Sequence, residues 1–177
     1  MKEIKKLPQE PRQKVWILFR HTNDLISKYF DDTLTEEKGI SYQQFMVLLA
    51  MALTGCNATA TVLSDQLDRN PNTLSTILDR MQKNGLVKKL RDIPDRRNVR
   101  VVMTAKGKAR FGEGLKVSVG IIKKLTAAFT DDELETFASL ISKLEKATSD
   151  EMARQNNAIG NKPKSPVKKV KTAGVGQ

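Results

Sequence analysis

Three patterns predict a mainly α fold carrying a small β ribbon of two or three strands. Two short helical stretches, at about 60–68 and 71–84, are joined by a junction of only about two residues. Directly behind them, two apolar runs, LVKKLR and VRVVMT, flank a charged link that reads DIPDRR. Longer amphipathic stretches lie on either side, within 11–37 and 105–155.

Residues 1–10 are polar and lysine-rich, and are expected to be frayed and flexible. Pro11 is suited to the first position of a helix. Val15, Leu18, Phe19, Leu25, Ile26, Tyr29 and Phe30 then recur at helical spacing until Gly39 breaks the run. Ser41 is an N-cap candidate with Gln44 three residues on, the capping-box spacing. Phe45, Leu48, Leu49 and Ala52 are the expected inner face of that second helix. The next, Ala60 to Asp68, should turn Val62, Leu63 and Leu67 inward.

Asn70 can cap the following helix and Pro71 can open it. Leu74, Ile77, Leu78 and Met81 lie at i, i+3, i+4 and i+7, one apolar stripe, and Gly85 stops the helix. Strands are expected over 86–91 and 99–104, with Val99, Val101 and Met103 alternating against Arg100, Val102 and Thr104. Thr104 is placed to cap a helix running to about residue 128, along which Phe111, Leu115, Val119, Ile122 and Leu125 repeat. Thr130 and Glu133 form a second capping box, before a helix with Leu134, Phe137, Ala138, Ile141 and Leu144 on its apolar face. From 156 to 177 there is no periodicity, and the prolines and lysines predict disorder.

Net charge is +11, and its distribution is uneven. Residues 60–110 hold 12 basic and 5 acidic groups, and 158–177 hold 5 lysines and no acid. The rest of the chain is close to balanced. Charge serving solubility alone has no reason to gather in one block and a tail. No apolar run reaches the length of a membrane span, and the start of the chain lacks a signal-type apolar core. A single cysteine allows no intrachain disulfide and no cysteine-based zinc site. No nucleophile motif, carboxylate pair or phosphate-binding glycine loop is present, so neither an enzyme, a metal site nor a cofactor is expected.

Two helices joined by a tight junction, the second with one apolar and one polar face, make a helix-turn-helix. A helix of this kind fits the major groove, about 12 Å wide. Asn72, Thr73, Ser75 and Thr76 are the candidates to meet base edges or phosphates. Arg80 and Lys83 would reach phosphates further along. The hairpin behind it then reads as a wing, its arginines suited to the minor groove. Its candidate residues are Asp95, Arg96, Arg97 and Arg100, with Asp95 pairing internally to hold the loop. A solvated charged turn is the plain alternative.

The stretch NGLVKKLRDIPDRRNVRVVMTAKG, within 63–108, resembles the winged helix-turn-helix core of the MarR family of transcription regulators. A looser likeness runs over about 11–153. The resemblance implies a homodimer held by the helices of both termini: an N-terminal dimerisation helix (11–37), a winged domain (41–104) and C-terminal dimerisation helices (105–155). It also implies double-stranded DNA with a pseudo-palindromic operator as partner, repression of the protein's own or neighbouring genes, and release by a small lipophilic or phenolic effector. Such an effector is expected near Trp16, Phe19, Arg20 and Phe45. Pro71 and Asn72 depart from the family's usual small polar or basic residues, and the lysine tail has no counterpart in the core fold. An architectural, weakly specific DNA-binding protein is the competing function, and a protein-interaction module a third. Cys56 reads as an inert thiol and His21 as structural. The expected location is the cytoplasm, associated with the nucleoid.

Overall fold

The computed structural model describes residues 8–55, 58–91 and 99–160. In chain order the elements are α1 (Pro11–Lys38), α2 (Tyr42–Thr54), α3 (Ala60–Gln66), α4 (Pro71–Lys83), β1 (Val87–Arg91), β2 (Val99–Met103), α5 (Ala105–Thr126) and α6 (Asp131–Gly160). Residues up to 125 form one compact unit and those from 126 a second.

Local chemistry sets most boundaries. The Glu10 carboxylate accepts from Gln13 N at 2.7 Å, and Pro11 occupies the first turn of α1. Gly39, at φ 63°, closes α1 in the left-handed conformation that costs glycine nothing. Ser41 and Gln44 form the reciprocal capping box of α2. Asp31 on α1 accepts from Tyr42 N at 2.7 Å, and the Phe30 and Tyr42 rings lie 5.1 Å apart, tying the end of α1 to the start of α2. Only Phe30 and Leu34 of α1 are buried, so its first two-thirds leaves Val15, Trp16, Leu18, Phe19, Leu25 and Ile26 exposed.

The core of the first unit runs from Phe30 and Leu34 through α2 to α4, β1 and β2, with Phe45, Leu48, Leu63, Leu74, Leu78 and Met81 almost fully enclosed. Helix α2 is buried on more of its circumference than a single stripe predicts. Val47, Ala50 and Met51 are buried, whereas Ala52, expected inside, is exposed. Surrounded by α1, α3, α4 and β2, the helix has little solvent face until its last turn. Val62, also expected inside, is exposed: α3 is too short to bury more than the Leu63–Ser64 side, and it ends at Gln66 rather than Asp68.

β1 and β2 pair antiparallel with Val87 opposite Met103 and Arg91 opposite Val99. A single bridge from Thr59 to Arg100, with Val101 N donating to Ala58 O at 2.8 Å, adds the vestige of a third strand. Helix α5 turns its small residues inward: Gly107, Gly114, Ser118 and Ile121 are buried, and the stripe of Leu115, Val119, Ile122 and Leu125 faces out. In the second unit, Thr130 and Glu133 cap α6 reciprocally. That helix continues to Gly160, past the point near 156 where loss of apolar periodicity predicted a disordered tail. Residues 161–177 and Cys56 lie outside the described residues.

Candidate nucleic-acid interface

The junction between α3 and α4 is built from few atoms. Ser64 is buried, and its hydroxyl donates to Arg69 O while Arg69 N donates back to Ser64 O at 3.0 Å. Asp68 sits at φ 47°, a left-handed position that aspartate tolerates better than most residues. Asn70 Oδ1 accepts from Asn72 N at 2.9 Å and Pro71 opens α4, so the chain reverses within Leu67–Asn70. This is a helix-turn-helix.

On α4 the division of faces is complete. Leu74, Ile77, Leu78 and Met81 are buried, and Asn72, Thr73, Ser75, Thr76, Asp79, Arg80 and Lys83 are exposed. At 100° per residue the exposed set spans an arc of about 160°, opposite the buried stripe. All six residues the sequence nominated for the groove therefore share one surface. The Thr76 hydroxyl donates to Asn72 O at 3.1 Å, which leaves its oxygen as an acceptor toward solvent.

That arc also carries an acid. Asp79 accepts from Lys89 Nζ at 2.6 Å, joining the outward face of α4 to β1. Lys89 is the more covered partner, and the pair offsets a carboxylate that would otherwise oppose DNA phosphates. Nothing in the sequence marks Asp79 for this pairing. Its partner is ten residues on, in another element, and no spacing rule signals it. Ser64 and Asp68 were likewise missed as turn-setting residues; an aspartate in a very short inter-helix junction is the one signal that could have marked the latter.

The other end of α4 is anchored to α5. Thr104 N donates to Leu86 O at 3.0 Å, and its hydroxyl donates to Gly85 O at 2.6 Å while accepting from Gly107 N at 3.0 Å. Lys106 Nζ donates to Asn84 O at 2.9 Å. Carbonyls left over just past the end of α4 are thus satisfied by Thr104 and the first turn of α5.

The wing is described only at its stem. Asp95, Arg96 and Arg97 lie outside the described residues. Arg100, grouped with them from sequence, is half-buried within β2, paired with Leu90 and bridged to Thr59, so it belongs to the stem rather than the tip. The nominated effector residues are not brought together either. Trp16, Phe19 and Arg20 lie exposed along α1, where Trp16 and Arg20 line a shallow groove of about 360 Å³ with Ile17, His21 and Asp24. Phe45 is 2% exposed and stacks on Phe111 in the core at 6.1 Å between ring centroids. Its position about one turn from the α2 cap gives the same sequence signal for core as for a pocket wall.

Comparison with known proteins gives a consistent picture. The model of the MarR family matches residues 38–98, from the start of the winged domain into the wing. The transcriptional repressor MdtR of Bacillus subtilis is 23% identical over 126 residues, 71% of this chain and 80% of its own length. A cysteine-to-serine mutant of MarR from E. coli, solved in complex with operator DNA, is 27% identical with a TM-score of 0.68, over 73% of this chain and 92% of that one. The chain is similar to MarR-family regulators, and the family's model matches it over residues 38–98. Among MarR-like folds it also matches the organohalide-sensing RdhR regulator, solved bound to 2,4-dichlorophenol, with a TM-score of 0.73 and 22% identity over 84% of this chain and 90% of that one. At that identity the likeness is one of fold. Within that fold α4, the second helix of the helix-turn-helix, stands in the place of a recognition helix, and the β1–β2 ribbon is the wing.

Proposed function

We propose that the protein is a sequence-specific, dimeric transcriptional repressor of its own or neighbouring genes. One observation carries this reading: α4 exposes Asn72, Thr73, Ser75, Thr76, Arg80 and Lys83 on a single arc while its opposite stripe is locked in the core. Hydroxyl and amide groups at the helix start can read base edges, and the two cations can hold phosphates. The wing's Arg96 and Arg97 add minor-groove contacts, with Asp95 bracing them.

Dimerisation is supported by the apolar surface left on α1 and α5, where Trp16 is 59% and Val119 58% exposed. Stripes of this length on a lone chain need covering. A two-fold axis would set two recognition helices about 34–36 Å apart, one turn of DNA. A lipophilic effector entering beside Trp16 and Phe19 on α1 would act at that interface. The protein works where the chromosome is, in the cytoplasm with the nucleoid.

The test is titration of DNA from the protein's own upstream region beside a shuffled fragment, at about 150 mM salt, near the physiological range, with unrelated competitor in excess. A protected site of dyad symmetry, preferred by roughly 10³-fold or more, is the expected result. Equal affinity for every genomic fragment would refute sequence-specific regulation and leave an architectural role.

A further inference from the structure

Behind the recognition helix, on the unit formed by residues up to 125, a cavity of about 270 Å³ opens where three segments meet. Lys38 comes from the last residue of α1, and Lys106 and Arg110 from successive turns of α5. Ile40 and Leu86, each 2% exposed, form its floor, and Asn84 at the end of α4 supplies an edge. No acid is among the described residues lining it. We propose that this cavity binds a phosphate dianion, free or as the ester of a small molecule, and that its occupancy sets how the recognition helix is held against α5.

Three cations around one cavity is an arrangement the fold does not otherwise explain. Lys106 and Arg110 are four residues apart on one helix, where like charges oppose helix formation by a few tenths of a kcal/mol. Each cation has a partner, but none of those partners fills the cavity. Lys38 has Glu37 at 3.9 Å and Arg110 has Glu113 at 2.9 Å, both pairs half-open to solvent and weak for that reason. Lys106 places one of its three protons on Asn84 O. A tetrahedral dianion can accept from the remaining ammonium protons and from the Arg110 fork together, and charge-assisted bonds of that kind are the stronger ones. The volume lies at the small end for ligand sites, which fits a compact anion.

Its position gives it leverage. Lys106 caps the carbonyl at the end of α4, and Thr104 binds the next two. An anion that draws Lys106 and Arg110 toward Lys38 therefore acts on the bonds that join the recognition helix to α5. This regulatory half rests on the DNA-binding reading above, whereas binding of the anion does not.

Amide NMR of the full chain without DNA tests the site, with inorganic phosphate and glycerol phosphate as probes. Chloride and acetate at matched ionic strength serve as controls. Saturable shifts confined to the amides around Gly39, Asn84, Lys106 and Arg110 are expected. Affinity should be about tenfold weaker in Arg110→Gln and in Lys38→Gln, the loss of one charge-assisted bond. Stronger binding of the ester than of free phosphate identifies an organic ligand, and the reverse identifies the free ion. Shifts that follow chloride, or that persist unweakened in both folded variants, would overturn the site. Operator affinity is then measured with and without saturating phosphate at fixed ionic strength, and a change of threefold or more is expected. Saturable anion binding with unchanged operator affinity would overturn the regulatory half. Failure to bind any operator would instead count against the DNA-binding reading and leave the NMR result standing.

Discussion

Gly107 is the residue on which the junction between the recognition helix and α5 closes. A Cβ built there would stand 2.0 Å from Leu86 O and 3.0 Å from its carbonyl carbon, both backbone atoms that no rotamer change can move. Relief requires the start of α5 and the start of β1 to separate by more than an ångström. That separation breaks the bond from Thr104 N to Leu86 O at 3.0 Å. One such bond contributes about 1 kcal/mol, and overpacking adds roughly 1–3 kcal/mol. Alanine in place of glycine inside a helix returns about 1 kcal/mol. Gly107→Ala should therefore lose about 1–3 kcal/mol, or roughly 2–12 °C in melting temperature for a chain of this size. Gly120 on the same helix has nothing within 4 Å of the corresponding position, so Gly120→Ala should gain up to about 1 kcal/mol. Both are measured by urea unfolding followed by circular dichroism, at one fixed protein concentration because the proposed subunit association would contribute to apparent stability. Gly107→Ala as stable as the parent chain would refute the argument that backbone contact fixes this junction.

Other perturbations probe the interface and its supports. Arg80→Ala should lower the slope of log affinity against log salt by about 0.9, the signature of one lost phosphate contact; an unchanged slope would remove Arg80 from the DNA. Asp79→Asn takes a negative charge off the outward arc of α4 and weakens its tie to Lys89. It should tighten binding to shuffled DNA more than to operator, so the ratio of the two dissociation constants should fall. Val119→Glu places a charge on the exposed stripe of α5 and should shift the protein from dimer to monomer in light scattering, while its circular dichroism keeps the helical signal. Glu133 accepts bonds from Thr130 N and the Thr130 hydroxyl, which lower its pKa from the ordinary carboxylate value. Because the folded value is the depressed one, this cap contributes fully above the unfolded pKa and is lost as pH falls through the lowered folded pKa. NMR titration should place Glu133 below the ordinary glutamate value, and Thr130→Val should raise it only part of the way, since the backbone bond remains.

What the sequence made legible was local. Capping residues and the four-residue stripe of α4 are short-range patterns, and each appears where its spacing indicated; the junction is four residues long, Leu67–Asn70, rather than about two, because α3 ends at Gln66. Ala52 and Val62 went the other way because burial depends on how many neighbours surround a helix, which spacing alone does not report. At the site, the outward residues of α4 were legible as the complement of its apolar stripe. The Asp79–Lys89 pair, the Ser64–Arg69 clasp and the meeting of Lys38 with Lys106 were not. Each joins residues whose proximity is created by the turn or by packing between elements. Phe45 shows the same limit in reverse, since an aromatic residue at a helical core position carries no mark separating a ligand wall from a packed interior.

Helix α5 shows why a chain of this kind must be read with a second surface in mind. Its larger apolar residues, Leu115, Val119, Ile122 and Leu125, which repeat along the helix in sequence, are exposed; Gly107, Gly114 and Ser118 face the core. The inner face has to be thin because Phe45 comes within 2.9 Å of a Cβ at Gly114 and Leu86 O is closer still at Gly107. A bulky residue at either position would push the helix off the winged domain. Apolar bulk is therefore displaced to the far side, where one chain offers these residues little cover. A surface stripe of this composition persists only if something covers it, and α1 presents Val15, Trp16, Leu18 and Phe19 in the same condition. A symmetric second copy supplies both coverings at once, because an isologous contact presents each exposed face to its own counterpart or to the other. Close packing on one side of α5 and association on the other are then one constraint. The small residues hold α4 against α5, and in the dimer proposed above the large ones would set its distance from its twin.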